Sequence, residues 1–159
     1  MGPVVTLEPW GSDDLPLLER LMGDPLMTEH LGGPESPEEL RERQDRYERL
    51  EGGDRMFKIV DVASDVGAGS VGFWTKEWQD EEVYEIGWMV VPDFQGLGIA
   101  ASATRQAIEI AKRDAKHPAL HAFPNVDNEP SNAICRKLGF ELLGPCEFCL
   151  LYTSPSPRD

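Results

Sequence analysis

The run Tyr84-Glu-Ile-Gly-Trp-Met-Val-Val-Pro-Asp-Phe-Gln-Gly-Leu-Gly-Ile-Ala100 constrains this chain most. Val83–Val91 has the length and the β-branched, aromatic content of a strand, and Pro92 ends it. From Ile99 to about Ala115 the residues turn helical, with Ala100, Ala103, Ala107 and Ala111 on one stripe that lets the helix approach a sheet closely. Between strand and helix lies Gln95-Gly-Leu-Gly. Without side chains at Gly96 and Gly98, backbone N–H groups can converge at the positive end of the following helix. Such a loop binds phosphate or pyrophosphate. Strand, glycine loop and helix in that order call for an α/β chain.

The rest of the chain supplies the other elements. Val4–Glu8 reads as a strand and Asp13–Met22 as a helix. Ser36-Pro-Glu-Glu39 is a capping box with proline at the first helical position, opening a helix to about Leu50 that stops at Gly52-Gly53. Arg55–Val62 and Ser70–Trp78 read as a hairpin joined by the polar Ser64–Gly69 loop. Ala119–Phe123 is a strand ended by Pro124. Asn128 is placed as the N-cap of a further helix, with Pro130 tolerated in its first turn, and Phe140–Leu143 begins another strand. At 159 residues one domain is expected. The formal charge of -14 argues against a nucleic-acid partner, which needs a basic face; it serves solubility in the simpler reading and steers cationic amines in the other. No apolar run is long enough to span a membrane. The cysteines Cys135, Cys146 and Cys149 and the scattered histidines show no metal-ligand spacing, so no metal is expected, and a reduced cytoplasmic setting fits.

Gln95, Gly98 and Ala100 match a Q/R-x-x-G-x-G/A signature, and Asn128-Glu-Pro-Ser-Asn-Ala-Ile-Cys-Arg-Lys-Leu-Gly-Phe140 matches an N-x-x-S/A…K-L-G-F block. In that order and spacing, the two blocks resemble the GCN5-related N-acetyltransferase (GNAT) family. The resemblance spans roughly residues 4 to 148. It implies a mixed α/β sheet with helices on both faces, the acyl-CoA N-acyltransferase fold. It also implies transfer of an acetyl group from acetyl-CoA, as co-substrate, to a primary amine by direct attack in a ternary complex. Leu7-Glu-Pro and Asp24-Pro-Leu-Met27 look like the branch that acetylates ribosomal-protein N-termini. The acceptor stays open between a protein N-terminus and a small-molecule amine, and the assembly between monomer and homodimer.

The same resemblance implies the site. The N–H groups of Gly96, Leu97, Gly98, Ile99 and Ala100, with Gln95, would hold the pyrophosphate. Met89, Val90 and Val91 would pair with the pantetheine arm like an added strand, and one of their N–H groups would face the developing oxyanion. Asn128 and Ser131 would reach the same arm or serve only as caps. Glu85 shares a strand face with Gly87 and Met89 and is the candidate base. Many family members carry tyrosine seven residues after the block's asparagine, as general acid for the leaving thiolate. Here that position is Cys135, a thiol that is either the acid or a small buried apolar group. His121, on the strand leading to the cleft edge, is more simply structural.

Rival readings are few. Gly96-x-Gly98-x-x-Ala101 also fits a dinucleotide-binding fingerprint, but the next strand ends Ala122-Phe123-Pro124-Asn125 with no acidic residue for a ribose. A non-catalytic acyl-CoA-binding or regulatory module is the alternative that the missing tyrosine keeps in view. The final stretch, Cys149–Asp159, resembles one reading frame of a transposase-type sequencing-library adapter, residue for residue. The domain is therefore expected to occupy 1–148, with 149–159 a non-native tail and the last strand of the sheet missing.

Overall fold

In a computed structural model of the chain, residues 2–146 and 149–153 are described. Among these residues seven strands form one sheet: β1 (Val5–Pro9), β2 (Arg55–Asp61), β3 (Val66–Trp78), β4 (Glu81–Val90), β5 (Leu120–Ala122), β6 (Glu141–Cys146) and β7 (Cys149–Thr153). Their spatial order is β1-β2-β3-β4-β5-β7-β6. All neighbours are antiparallel except β4 and β5. Among the described residues four α-helices complete the fold: α1 (Leu15–Met22), α2 (Pro37–Glu48), α3 (Ile99–Asp114) and α4 (Glu129–Lys137). This is the mixed α/β architecture expected from the sequence.

The two faces of the sheet are covered unequally. On one, α3 lays Ala103, Ala107 and Ala111, all buried, against a core of Ile59, Val71, Phe73, Tyr84 and Ile86, with Cys135 of α4 and Phe140 closing it. Alanine at that spacing brings the helix backbone close to the strands, as the stripe requires. On the other face, α1 and α2 bury Leu18, Leu21, Met22 and Leu40 against Trp10 and Val91, with Met56 and Met89 at the edge. This second core is confined to the part of the face beside Met56 and Met89. Trp74, Glu85 and Phe123 stand outside it on the same sheet, only partly buried.

Local chemistry sets the helix ends. The capping box at Ser36 is formed: Ser36 Oγ accepts from the Glu39 N–H at 3.1 Å, and Glu39 Oε1 accepts from the Ser36 N–H at 3.0 Å. Asn128 caps α4, its Oδ1 accepting from the Ser131 N–H at 3.3 Å. Several boundaries differ from expectation. β3 begins at Val66, inside the stretch read as a loop, because Asp65 takes the left-handed conformation (φ 59°) and closes the hairpin in fewer residues. A register shift at Ile59/Val60 absorbs the irregularity. The sheet also has a strand after β6, where the sequence reading left a gap. Cys149–Thr153, the start of the adapter-like stretch, enters between β5 and β6 as β7, with Leu151 and Tyr152 buried. Residues 154–159 of that stretch lie outside the described residues.

Gly69 is where β3 and β4 pack most closely. A Cβ built there lies 2.9 Å from Val90 Cα and closer still to the Met89 carbonyl oxygen. Gly69→Ala should therefore destabilise the fold by about 1–3 kcal/mol, the range for overpacking, read as a lower urea midpoint at unchanged m-value. An unchanged midpoint would mean that the two strands are free to separate there.

Candidate active site

β4 is hydrogen-bonded to β3 in continuous register, from Trp78↔Glu81 to Gly69↔Val90. On its other edge it pairs with β5 at only two positions, Tyr84↔Leu120 and Glu85↔His121. Beyond Glu85 the strands part. β5 ends at Ala122, and Pro124, which has no N–H, follows shortly after. α4 holds the departing segment: Asn132 Nδ2 donates to the carbonyls of Asn125 (3.1 Å) and Asn128 (2.8 Å).

The exposed edge of β4 follows from alternation. The Tyr84 N–H donates to the Ala119 carbonyl, so its backbone groups face β5. The Val91 N–H donates to Ala68 on the opposite side. In the unbroken register between them, the groups in phase with Tyr84 belong to Ile86, Trp88 and Val90, of which Trp88 and Val90 lie clear of the last β5 pair. Val90 thus turns its backbone groups to the β5 side. Trp88 provides the second backbone position, while Met89 contributes a side chain to the cavity wall and Val91 pairs with β3. Only the period-two pattern counted from a fixed hydrogen bond distinguishes these.

The glycine loop follows at the end of β4. A 3-10 turn, Pro92–Phe94, leads into Gln95, whose Nε2 donates to the Val90 carbonyl at 2.9 Å and ties the loop to the strand end. Gly96 and Gly98 both have left-handed backbones (φ 76° and 81°), and a Cβ at either meets nothing within 4 Å. Here glycine is required by conformation, and the space above the loop is open. Gly98 is the N-cap of α3, so the first N–H groups of that helix have no intrahelical partner. Leu97 is exposed, Ile99 is buried beneath the loop, and Ala100 is partly covered.

A cavity of about 450 Å³ opens where the strands part. Glu85, Gly87, Trp88 and Met89 form one wall; Phe123, Asn125, Asn128 and Ser131 form another. Four of the predicted site residues, Glu85, Met89, Asn128 and Ser131, thus meet in one cleft. Glu85 Oε1 accepts from Trp74 Nε1 at 3.2 Å and lies 3.5 Å from Lys76 Nζ. The far end is lined by residues that sequence reading did not single out: His30, Glu35, Arg43 and Tyr47. Arg43 forms a forked pair with Glu35, at 2.8 and 2.7 Å, and donates to Tyr47 Oη at 3.2 Å. The hydrogen-bonded Glu35 carboxylate raises the Arg43 pKa, against the opposing effect of burial. A capping box puts Glu35 just before α2 and Arg43 on it, yet no local signal says that this helix turns one face to a cleft.

Cys135 and His121 lie elsewhere. Cys135 is fully buried in the α3–α4 core and does not line the cleft; burial pushes its thiol up to about 12. Its position thus matches the apolar-packing alternative, and nothing in the geometry brings its sulfur to the parted strands. His121 lines a second hollow, of about 540 Å³, with Trp78, Glu81 and Pro145. Burial there holds its imidazole below the usual histidine range.

A family model described as an acetyltransferase (GNAT) domain matches residues 5–141. The chain belongs to the GNAT acetyltransferase family. Among curated proteins none matches it significantly. Solved structures share the fold. An aminoglycoside acetyltransferase, AAC(6')-Ib, in complex with coenzyme A is 17% identical, with a TM-score of 0.80 over 98% of this chain and 96% of that one. A spermidine N-acetyltransferase from Vibrio cholerae, in complex with CoA and spermine, is 17% identical, with a TM-score of 0.76 over 94% and 92%. The ribosomal α-N-protein acetyltransferase RimL is 21% identical, with a TM-score of 0.73 over 94% and 87%. Acetyl-CoA is the co-substrate of this GNAT domain. The residues fit it: an edge of β4 at Trp88 and Val90 that no neighbouring strand pairs suits an amide-bearing arm, and a left-handed glycine loop at a helix N-terminus suits a pyrophosphate.

Two predictions follow from this geometry. Gly98→Glu should lose measurable CoA binding in calorimetry, because a carboxylate then stands where phosphate must approach, at a stability cost of about 1–2 kcal/mol for the left-handed backbone. Gly98→Asn, which tolerates that conformation, serves as the folding control; unchanged CoA affinity in the glutamate variant would place the pyrophosphate elsewhere. For Cys135, a raised pKa keeps the group a neutral thiol throughout the neutral range. The peptide carrying it should therefore resist iodoacetamide in the native protein and label only in urea. Native-state labelling at the unfolded rate would show an accessible thiolate.

Proposed function

We propose that this protein transfers the acetyl group of acetyl-CoA to a primary amine by direct attack in a ternary complex. The carrying observation is the parting of β4 and β5 directly above a partly buried carboxylate, Glu85, with the glycine loop at the end of the same strand. The N–H groups from Gly96 to Ala100 hold the pyrophosphate, with Gln95 fixing the loop. Trp88 and Val90 pair with the pantetheine amides, and the N–H of one of them faces the oxyanion. Asn128 spends its Oδ1 on the cap and keeps its amide N–H groups for the arm; Ser131 stands one turn further along the cleft.

Glu85 is the base. It takes a proton from the incoming ammonium, directly or through water, as the amine enters from the side of Tyr47 and Arg43. Water, not Cys135, protonates the leaving thiolate. The acceptor is a small-molecule amine or a protein N-terminus. Solved structures with this fold include a spermidine, an aminoglycoside and a ribosomal-protein acetyltransferase. Of these classes, Leu7-Glu-Pro and Asp24-Pro-Leu-Met27 favour a protein N-terminus. A cytoplasmic setting accords with acetyl-CoA supply.

The test joins binding to turnover. Acetyl-CoA at about a hundred times its Kd should stabilise both native protein and Glu85→Gln by about 2.7 kcal/mol, and NAD should not. With an amine acceptor found by screening, Glu85→Gln should lower kcat/KM by about 100-fold or more near neutral pH. The deficit should narrow at alkaline pH, where the amine arrives already deprotonated. Equal pH profiles for the two proteins would remove Glu85 from the reaction. Absent stabilisation by acetyl-CoA would remove the transferase reading itself.

A further inference from the structure

An amine of the chain itself stands beside the last strand pair before β4 and β5 separate, next to two residues of the cleft wall. Lys76 projects from β3. Its Nζ lies 3.5 Å from Glu85 Oε1 and 4.4 Å above the ring centroid of Phe123. Both contacts belong to the cleft: Glu85 forms the last strand pair before the gap opens, and Phe123 is the first residue beyond β5. Trp78 meets Phe123 edge-on, centroids 5.1 Å apart. The ammonium is thus held by a carboxylate and an aromatic face, as a bound primary amine would be. It is not sealed in, with the Lys76 side chain 35% exposed.

No other lysine is placed this way. Lys58 pairs with Asp14 at 2.9 Å, on β2, and Lys112 lies 3.8 Å from Glu109 on the outer side of α3. Lys116 donates to the Gly52 carbonyl, and Lys137 is exposed at the end of α4. Lys76 alone among the described lysines shares a carboxylate with the cleft.

From this placement we infer that Lys76 is a self-acetylation site, modified within its own molecule. The inference rests on the acetyl-transfer reading above. Glu85 takes one proton from the Lys76 ammonium. The freed lone pair attacks the acetyl carbonyl carbon of the bound thioester. The N–C bond forms, the C–S bond breaks, and the second amine proton goes to the departing thiolate. The products are Nε-acetyl-Lys76, CoA-SH and a proton released by Glu85 to solvent. Acetylation removes the positive charge between Glu85 and Phe123, so the modified protein presents the same carboxylate and ring to an outside ammonium.

The experiment incubates the full chain with acetyl-CoA alone and follows acetyl occupancy at each lysine by peptide mass spectrometry, with thermal stabilisation by acetyl-CoA read on the same sample. Lys76 should acetylate about tenfold or more faster than Lys116 and Lys137, as fits a held acceptor. Its rate should saturate in acetyl-CoA and be independent of protein concentration. Glu85→Gln, a shape-preserving change, should reduce Lys76 to the background of the surface lysines while acetyl-CoA still stabilises the fold. Stabilisation with Lys76 no faster than Lys137 would overturn the self-acetylation site and leave the transferase reading standing. A rate that rises with protein concentration would overturn transfer within one molecule. Neither stabilisation nor acetylation would overturn both readings together.

Discussion

The separation of β4 from β5 is the constraint on which the site depends, and it is maintained from both sides. β4 cannot follow β5 because it is hydrogen-bonded to β3 along its whole length, with Gly69 allowing the closest approach. β5 cannot follow β4 because it ends at Ala122, and Asn132 fastens the next turn to α4 through two carbonyls. A parallel pair has evenly spaced bonds and no hairpin to enforce it. Here it is a seam of only two residue pairs, which firmer neighbours on either side can pull open. What results is backbone with unpaired donors and acceptors beside a cavity, a state that a sheet normally avoids. A ligand that brings its own amides satisfies it.

The loop and the helix caps were legible in the sequence because each is a local device. Gly96 and Gly98 announce positive φ, Ser36 with Glu39 announces a reciprocal cap, and Asn128 announces the start of α4; all three are formed. The alanine stripe of α3 was equally plain, since burial at helical spacing is a periodic signal. The far end of the cleft was not legible. Glu35, Arg43 and Tyr47 reach the cavity only because α1 and α2 cover part of one sheet face, and nothing within their own segment encodes where that cover stops. Cys135 was ambiguous for the same reason. Its place on α4 was clear, but whether that position faces the cleft or the core depends on how α4 rolls against α3. β7 shows a different limit: Leu151, Tyr152 and Thr153 have strand-forming character whatever their origin, so the pattern alone could not decide whether the sheet would use them.

Charge in the cleft is arranged differently from charge in the chain. The formal total of -14 draws cations toward the protein at long range, as far as screening allows. Inside, neither carboxylate stands free: Glu35 is held by Arg43 in a forked pair, and Glu85 by Lys76 and the Trp74 N–H. The two pairs differ in kind. The Arg43–Glu35 pair has two short parallel hydrogen bonds and a guanidinium that cannot give up its proton, so it is a fixed wall. The Lys76–Glu85 pair is longer and looser, between groups that can both exchange protons. An acceptor ammonium therefore competes at Glu85 and not at Glu35, and its competitor is an amine tethered at high effective concentration. A cation entering this cleft gains little from simple attraction. It succeeds by contacts that Lys76 cannot make, along the wall formed by Tyr47, Met56 and Met89. Selectivity among amines should thus reside in the body of the acceptor and not in its charge.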